Sequence, residues 1–224
     1  MPTELHLALQ QYYAGDDGEI EVDIGRYRAD VIRDGVIYEI QKGNFSAIRD
    51  KVKSLARKHK VVVVYPVPRE KIIVHIDPET GDELRSRRSP KHGRAVDVFD
   101  HLVNMPTAIR GKNVAIEVAV TVQRELRRDD GRGSWRRNGI SLVGHELVEL
   151  VETHRFDAPA DFLHLLPSGL PRRFTVGELA DAAGLRRRLA GRMAYTLCKM
   201  GVLKKVGKRG NWILYQPTSR DAGR

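Results

Sequence analysis

Three polar side chains, Asp30, Glu39 and Gln41, have the types and the spacing to bind a metal ion and orient a water molecule. Side chains in a β-strand repeat their direction every second residue, so we expect Glu39 and Gln41 on one face of a strand. A turn at Asp34-Gly35 would fold the preceding strand back and bring Asp30 to the same place. Carboxylate oxygens are ligands that Mg2+ prefers, and bound Mg2+ also contacts phosphate oxygens. The pattern therefore indicates phosphodiester chemistry.

An ordinary half-exposed hairpin would also account for these residues. Asp30 would then end a strand, and Glu39 would be a solvent-facing partner of Arg28. However, a helix pattern follows, and such a helix normally covers one face of the sheet. A charged residue beneath it is costly unless it is paired or bound to a metal. We therefore favour the metal-binding interpretation.

The elements that must position these residues can be read from hydrophobic periodicity. The sequence predicts a helix from Thr3 to Tyr13, three strands at about 19–24, 28–33 and 36–41, a helix at 46–58 and an apolar strand at 61–65. Further along, it predicts a strand from Lys71 to Ile76, a basic loop at 85–94, a helix from Ala95 to Asn104, a strand at 114–122, a flexible hairpin tip at 123–135 and a helix at 144–154.

The order of the first elements, with Asp30 followed by Glu39-Ile40-Gln41, resembles the PD-(D/E)xK nuclease superfamily in its E-x-Q variant. The run EIQKGNFSAIRDK is also similar to the E-x-Q nucleases linked to bacterial competence. The resemblance covers roughly the first third of the chain. It implies an α/β fold, an α+β mixed sheet with a restriction-endonuclease-like core.

The resemblance also implies roles for individual residues. Asp30 and Glu39 would be ligands of Mg2+ or Mn2+, and Glu4 on the first helix is a further candidate ligand. Gln41 stands where the superfamily has a lysine, so it would orient the attacking water without bringing a positive charge. Stabilisation of the transition-state charge would then fall to the metal and to another cation.

Composition narrows the class of protein. Hydrophobic residues make up 41% of the chain and charged residues 30%, which is typical of globular proteins. One cysteine excludes an intrachain disulfide framework and favours a reducing cytoplasm. The start of the sequence lacks signal-peptide character, and no apolar run approaches about 18 residues. We expect a cytoplasmic protein without a membrane partner or a small-molecule cofactor; the sequence leaves open a homodimer.

Charge is concentrated at the C-terminal end of the chain. The formal net charge of the chain is +10, and residues 168–224, with 13 Lys+Arg against 3 Asp+Glu, account for all of it. Such a compact basic segment is typical of proteins that bind nucleic acid. DNA is therefore the expected partner.

The basic segment also has the pattern of a folded module. A capping-box signature opens a helix at Thr175–Ala183, and a second helix follows at Leu185–Met200. Two strands, Val202–Val206 and Asn211–Tyr215, are joined by a basic turn. This order resembles a winged helix-turn-helix, whose second helix enters the major groove. We expect phosphate contacts from Arg186 and from the basic turn and its flanks, which carry Lys204, Lys205, Lys208 and Arg209. We expect groove contacts from the second helix, through Arg187, Arg188, Arg192, Tyr195 and Lys199.

The sequence thus predicts a nuclease core at 1–80, a middle segment at 81–167 that completes it, a winged-helix domain at 168–217 and a disordered tail at 218–224. The favoured hypothesis is a Mg2+-dependent DNA nuclease, an endonuclease-type phosphodiester hydrolase. Two alternatives stay open: a non-catalytic DNA-binding protein, a regulator or repair accessory factor with a nuclease-like scaffold, and an RNA-processing factor.

Overall fold

The fold was taken from a computed structural model, which describes residues 3–218. It is a mixed α+β fold with one large sheet and several helices. The helices are α1 (Glu4–Ala14), α2 (Phe45–Leu55), α3 (Phe99–Leu102), α4 (Val176–Ala183) and α5 (Arg187–Met200). The strands are β1 (Glu19–Ile24), β2 (Tyr27–Arg33), β3 (Val36–Ile40), β4 (Lys60–Ile76), β5 (Glu83–Arg88), β6 (Val114–Asp129), β7 (Ile140–Phe156), β8 (Leu203–Arg209) and β9 (Trp212–Pro217).

Within the described residues, seven strands form one sheet in the order β1-β2-β3-β4-β6-β7, and β5 pairs with β4. The β1–β2, β2–β3 and β4–β5 pairs are antiparallel. Strands β8 and β9 form a separate antiparallel hairpin. None of the described helices combines the length and the apolar character needed to cross a membrane.

The chain divides into two compact units. Unit 1 comprises residues 3–40, 66–94 and 118–154, and unit 2 comprises 41–65, 95–117 and 155–218. In unit 1, α1 packs against β2, and Leu5 and Leu9 of α1 and Ala29 and Val31 of β2 are fully buried. In unit 2, α5 packs against α3, α4 and β8. A cluster of three phenylalanine rings, Phe99, Phe156 and Phe162, lies in the same unit.

The β2–β3 hairpin confirms the predicted turn. Asp34 and Gly35 both adopt left-handed conformations, with φ of 53° and 71°, and Arg33 pairs with Val36 across the turn. A two-residue turn of this kind matches the natural twist of a hairpin, which explains why Asp-Gly is favoured there. The predicted capping box is confirmed as well, since Thr175 and Glu178 satisfy each other's backbone amides at the start of α4.

Several predicted elements were wrong. Residues 144–154 lie inside strand β7, not in a helix, because pairing within the sheet outweighs a helical spacing of apolar residues. Strand β4 runs without a break through Pro66 and Pro68, so the strands predicted at 61–65 and Lys71–Ile76 are one strand. Part of the predicted basic loop forms β5, and β6 extends to Asp129. The helix expected at 95–104 is a 3-10 turn followed by four α-helical residues.

The predicted tail begins at Thr218, whose amide donates to the Val202 carbonyl at 2.9 Å. The rest of that prediction, residues 219–224, lies outside the described residues.

Candidate functional site in unit 1 and basic surface in unit 2

Asp30 is fixed against the strand that carries Glu39. The β2–β3 ladder reaches Val31 opposite Tyr38, and beyond this pair the Asp30 carboxylate accepts the backbone amide of Ile40 at 2.7 Å. Its oxygen therefore lies beside the Glu39–Ile40 peptide. A carboxylate that accepts a backbone N–H keeps further lone pairs for another ligand. The hairpin brings together these two sequence-predicted positions.

Two residues of α1 face Asp30, and neither was predicted as part of the site. His6 Nε2 lies 3.7 Å from Asp30 Oδ1, with each side chain about one-fifth exposed. Gln10, one turn further along the helix, donates from Nε2 to the Asp30 carbonyl at 3.3 Å. The available signal was a glutamine on the apolar face of α1, between Leu9 and Tyr13.

The amide oxygen of Gln10 is the most unusual atom of this site. The residue is 1% exposed, and its Oε1 is buried with no hydrogen-bond partner among the described residues. A buried acceptor without a donor costs free energy, on the order of 1–3 kcal/mol. A water molecule or a cation at this position would satisfy it. This oxygen therefore marks a place for a ligand next to Asp30.

Glu39 is the buried carboxylate of the site. Only 2% of it is exposed, on a strand that also buries Ile37 and Ile40. An ionised carboxylate in such a position requires nearby cations or donors. Glu4, by contrast, is exposed and lies two positions before His6, about 200° around the helix. It does not share the face of α1 that meets Asp30.

Gln41 belongs to unit 2 and follows the last residue of β3. Its backbone amide donates to the Val64 carbonyl at 2.8 Å, and its side-chain amide donates to the Gly43 carbonyl. The strand ends at Ile40, so the alternation of side chains along β3 does not fix the direction of the Gln41 side chain. Its side-chain oxygen remains an acceptor for a water proton.

The donor types of the unit 1 site fit a hard divalent cation. Two carboxylates and an amide oxygen are oxygen ligands of the kind that Mg2+ and Mn2+ accept, with water completing the coordination. No group of three or more His, Cys, Asp or Glu side chains is placed to hold a metal ion anywhere in residues 3–218. Any metal bound at this site would therefore depend on few protein ligands.

In unit 2, α5 separates an apolar face from a basic one, as its sequence predicts. Leu189, Met193, Leu197 and Met200 are buried, whereas most of the predicted nucleic-acid contacts are exposed. The exposed set is Arg186, Arg187, Arg188, Tyr195 and Lys199 around α5, and Lys204, Lys205, Lys208 and Arg209 on the β8–β9 hairpin.

Two of the predicted DNA-contacting arginines have protein partners. Arg192 donates to the carbonyl and the carboxylate of Asp100 at 2.9 and 2.5 Å, and so links α5 to α3. Arg209 binds Glu178 through both terminal nitrogens, at 3.1 and 2.8 Å. The Arg192 contact is half-buried and structural. The Arg209 pair is exposed, and such pairs contribute little to stability.

Exposed aromatic rings accompany the basic side chains. Trp212, which the sequence analysis did not single out, is 61% exposed, and the Arg187 guanidinium lies 5.9 Å from its ring centre. Tyr195 is 46% exposed, with the Lys199 ammonium 5.7 Å from its ring. Exposed rings next to cations can contact both bases and phosphates of a nucleic acid.

Comparisons with known proteins relate the chain to one family and one distant relative. A family model described as "Domain of unknown function (DUF8091)" matches residues 3–157. An uncharacterized protein of Treponema pallidum (strain Nichols) is 28% identical over 216 residues, which cover 96% of this chain and 84% of that protein. No solved structure matches. Because the family model spans more than half of the chain, the chain belongs to the DUF8091 family.

Proposed function

We propose that this protein is a divalent-metal-dependent DNA nuclease whose metal site lies in unit 1 and whose DNA-binding surface lies in unit 2. The observation that carries the proposal is the Asp30 carboxylate, held 2.7 Å from the Ile40 amide, together with Gln10, which donates to the Asp30 carbonyl and has a buried Oε1 without a partner among the described residues. A fixed carboxylate with an amide oxygen on a neighbouring residue favours a cation. The order of α1, the β1–β2–β3 hairpins, α2 and β4 agrees with a restriction-endonuclease-like core.

Asp30 and Glu39 would hold the metal, and Gln10 would add a neutral oxygen ligand or bind a coordinated water. A bound Mg2+ or Mn2+ would supply Lewis acidity toward a phosphate oxygen and lower the pKa of a water molecule. His6, near Oδ1, and the Ile40 amide, bound to Oδ2, would together orient the Asp30 carboxylate.

Unit 2 supports the proposed DNA-binding role as a winged helix. A 3-10 helix at Pro159–Leu165 contacts α5, and an isolated antiparallel bridge joins Phe174 to Tyr215 on β9. A winged helix consists of a helix, a short strand, two further helices and a hairpin. Its exposed basic helix would contact the groove, and its hairpin would contact the backbone. Because phosphate contacts dominate such binding, we expect affinity for DNA to fall steeply with salt.

A plasmid-nicking assay tests the nuclease proposal. Wild-type protein with Mg2+ or Mn2+ should convert supercoiled plasmid to the nicked form, and Asp30→Asn and Glu39→Gln should each abolish the conversion. Asp34→Asn is a matched control, since it makes the same chemical change at an 86% exposed side chain of the same hairpin. It should cleave like the wild type. Equal cleavage by Asp30→Asn and Asp34→Asn would refute the assigned site.

A second candidate function is a non-catalytic DNA-binding protein, and Gln41 favours it because a glutamine brings no positive charge. The two candidates differ in a single comparison. Metal-dependent nicking that Asp30→Asn removes, with DNA retention unchanged in EDTA, supports the nuclease. Retention of linear duplex, branched junctions and single strands without nicking of any of them supports the non-catalytic function.

A further inference from the structure

A cationic cleft lies in unit 1, on residues that the proposed nuclease site does not use. Its volume is about 260 Å3, and its lining comes from four strands: Arg85, Ser86 and Arg87 of β5, His75 of β4, Arg127 of β6 and Ile140 of β7. Three arginines around one opening are the arrangement that binds phosphate groups through paired N–H donors.

The strand register explains why these side chains meet. His75 pairs with Arg85 and Ile73 with Arg87, so both arginines lie on the same face as His75. Within the described part of the chain, no carboxylate forms an ion pair with Arg85 or Arg87. Arg88, the next residue of β5, points to the opposite face and pairs there with Glu70 at 3.1 Å. The charges of Arg85 and Arg87 are therefore not neutralised by ion pairs with the described residues.

Arg127 is held in place by an ion pair with Glu125. Glu125 accepts from Arg127 Nε at 2.8 Å and from Lys71 Nζ at 2.7 Å. One carboxylate thus fixes two cations and leaves a net positive charge. The pKa of His75 reflects this field: burial lowers it most, Arg85, Arg127 and Arg87 lower it further, and Asp129 opposes the shift.

The connection between β6 and β7, two strands that line the cleft, carries an exposed aromatic residue. Arg127 and Ile140 lie on the two strands that it joins, and its tip carries Trp135 with Arg136 against the ring at 5.5 Å. Trp135 is 81% exposed, whereas tryptophan is on average a highly buried residue. Bases stack on exposed aromatic rings of this kind while arginines contact the backbone.

We infer that the cleft of Arg85, Arg87 and Arg127 binds backbone phosphates of a nucleic acid, and that Trp135 stacks on one of its bases. This gives unit 1 a contact of its own, separate from the basic surface of unit 2. The identity of the nucleic acid as DNA rests on the proposed function, whereas phosphate binding by the cleft does not. An open cleft with an exposed ring at the neighbouring tip suits a polymer better than a small free phosphate.

Neighbouring residues of β5 provide a matched test. Arg87→Gln and Arg88→Gln remove the same charge one position apart, on opposite faces of the strand. Binding of a fluorescent 20-base-pair duplex is measured by anisotropy in EDTA, so cleavage plays no part. Arg87→Gln should weaken binding about 5–10-fold and reduce the slope of log K against log salt by about 1, whereas Arg88→Gln should change neither.

Further experiments distinguish nucleic acid from free phosphate compounds as the ligand, and the cleft inference from the nuclease proposal. Trp135→Ala should weaken binding of a single strand at least about fivefold and leave the salt slope unchanged. Millimolar pyrophosphate should compete with the duplex in wild type and Arg88→Gln, and less in Arg87→Gln. Pyrophosphate binding that Arg87→Gln removes, with the duplex affinity and salt slope of that variant unchanged, would assign the cleft to free phosphate compounds and overturn the inference. Equal losses in Arg87→Gln and Arg88→Gln, or a wild type that binds no DNA, would overturn it as well. A protein that never nicks plasmid but shows the Arg87 effect would refute the nuclease proposal alone.

Discussion

Replacing Glu125 by glutamine removes the charge that holds Lys71 and Arg127 together. The Glu125 side chain is 9% exposed. Burial is the largest single influence on its pKa and raises it, but the hydrogen bonds and positive charges of Lys71 and Arg127 outweigh burial and lower the pKa from 4.5 to about 2. Folding therefore favours the ionised form of this carboxyl.

The lowered pKa sets the magnitude and the pH range. A fall from 4.5 to about 2 corresponds to roughly 3 kcal/mol of stability at pH 7. Lys71 and Arg127 are about a quarter exposed, so water recovers part of their solvation in the variant. We expect Glu125→Gln to lose about 2–3 kcal/mol at pH 7. Because the folded pKa is the lower one, this contribution is complete above pH 4.5 and is lost as the pH falls toward 2; about 1 kcal/mol remains at pH 3.

Urea unfolding followed by circular dichroism measures this difference at pH 7, 5 and 3. Glu79→Gln is the matched control, since Glu79 lies in an exposed turn of the same unit, and it should change the free energy of unfolding by less than about 0.5 kcal/mol. A difference between wild type and Glu125→Gln that stays constant from pH 7 to pH 3 would refute the ion-pair account. A loss no greater than that of Glu79→Gln would refute it too.

Three other substitutions test packing and capping in unit 2, each by thermal and urea unfolding. Gly43→Ala should cost about 1–3 kcal/mol, because the new Cβ would lie 3.0 Å from Cε1 of a packed His101 ring; an unchanged midpoint would contradict this. Thr175→Ala should cost about 1 kcal/mol through loss of the capping box with Glu178, and Thr175→Ser should restore most of it. Met193→Ala should cost about 2–5 kcal/mol, since Met193 is fully buried; a cost below about 1 kcal/mol would mean that α5 is not packed as described.

Local patterns predicted the elements that depend on local chemistry. The Asp34-Gly35 turn fixed the β2–β3 hairpin, because few residue pairs adopt two successive left-handed conformations. The helices of unit 2 followed from a capping box and from apolar residues at helical spacing. These signals lie within about ten residues of the structure that they specify.

The remaining elements depend on residues that are distant in sequence. Strand β7 was predicted as a helix because Leu147, Leu150 and Val151 have helical spacing, and the pairing of β7 with β6 outweighs that spacing. The contribution of His6 and Gln10 to the candidate site also could not be read locally, since 20 positions separate Gln10 from Asp30. The cationic cleft required the pairing of β5 with β4, which a basic loop would not have provided.

Calorimetric titration of Mn2+ into the full chain tests most directly whether Asp30, Glu39 and Gln10 form a metal site. We predict binding at one site in the wild type and in Asp34→Asn, and loss of that heat in Asp30→Asn and Glu39→Gln. Gln10→Leu should weaken binding without abolishing the fold, as monitored by circular dichroism. Equal Mn2+ binding by Asp30→Asn and Asp34→Asn, or no binding by the wild type, would contradict the account.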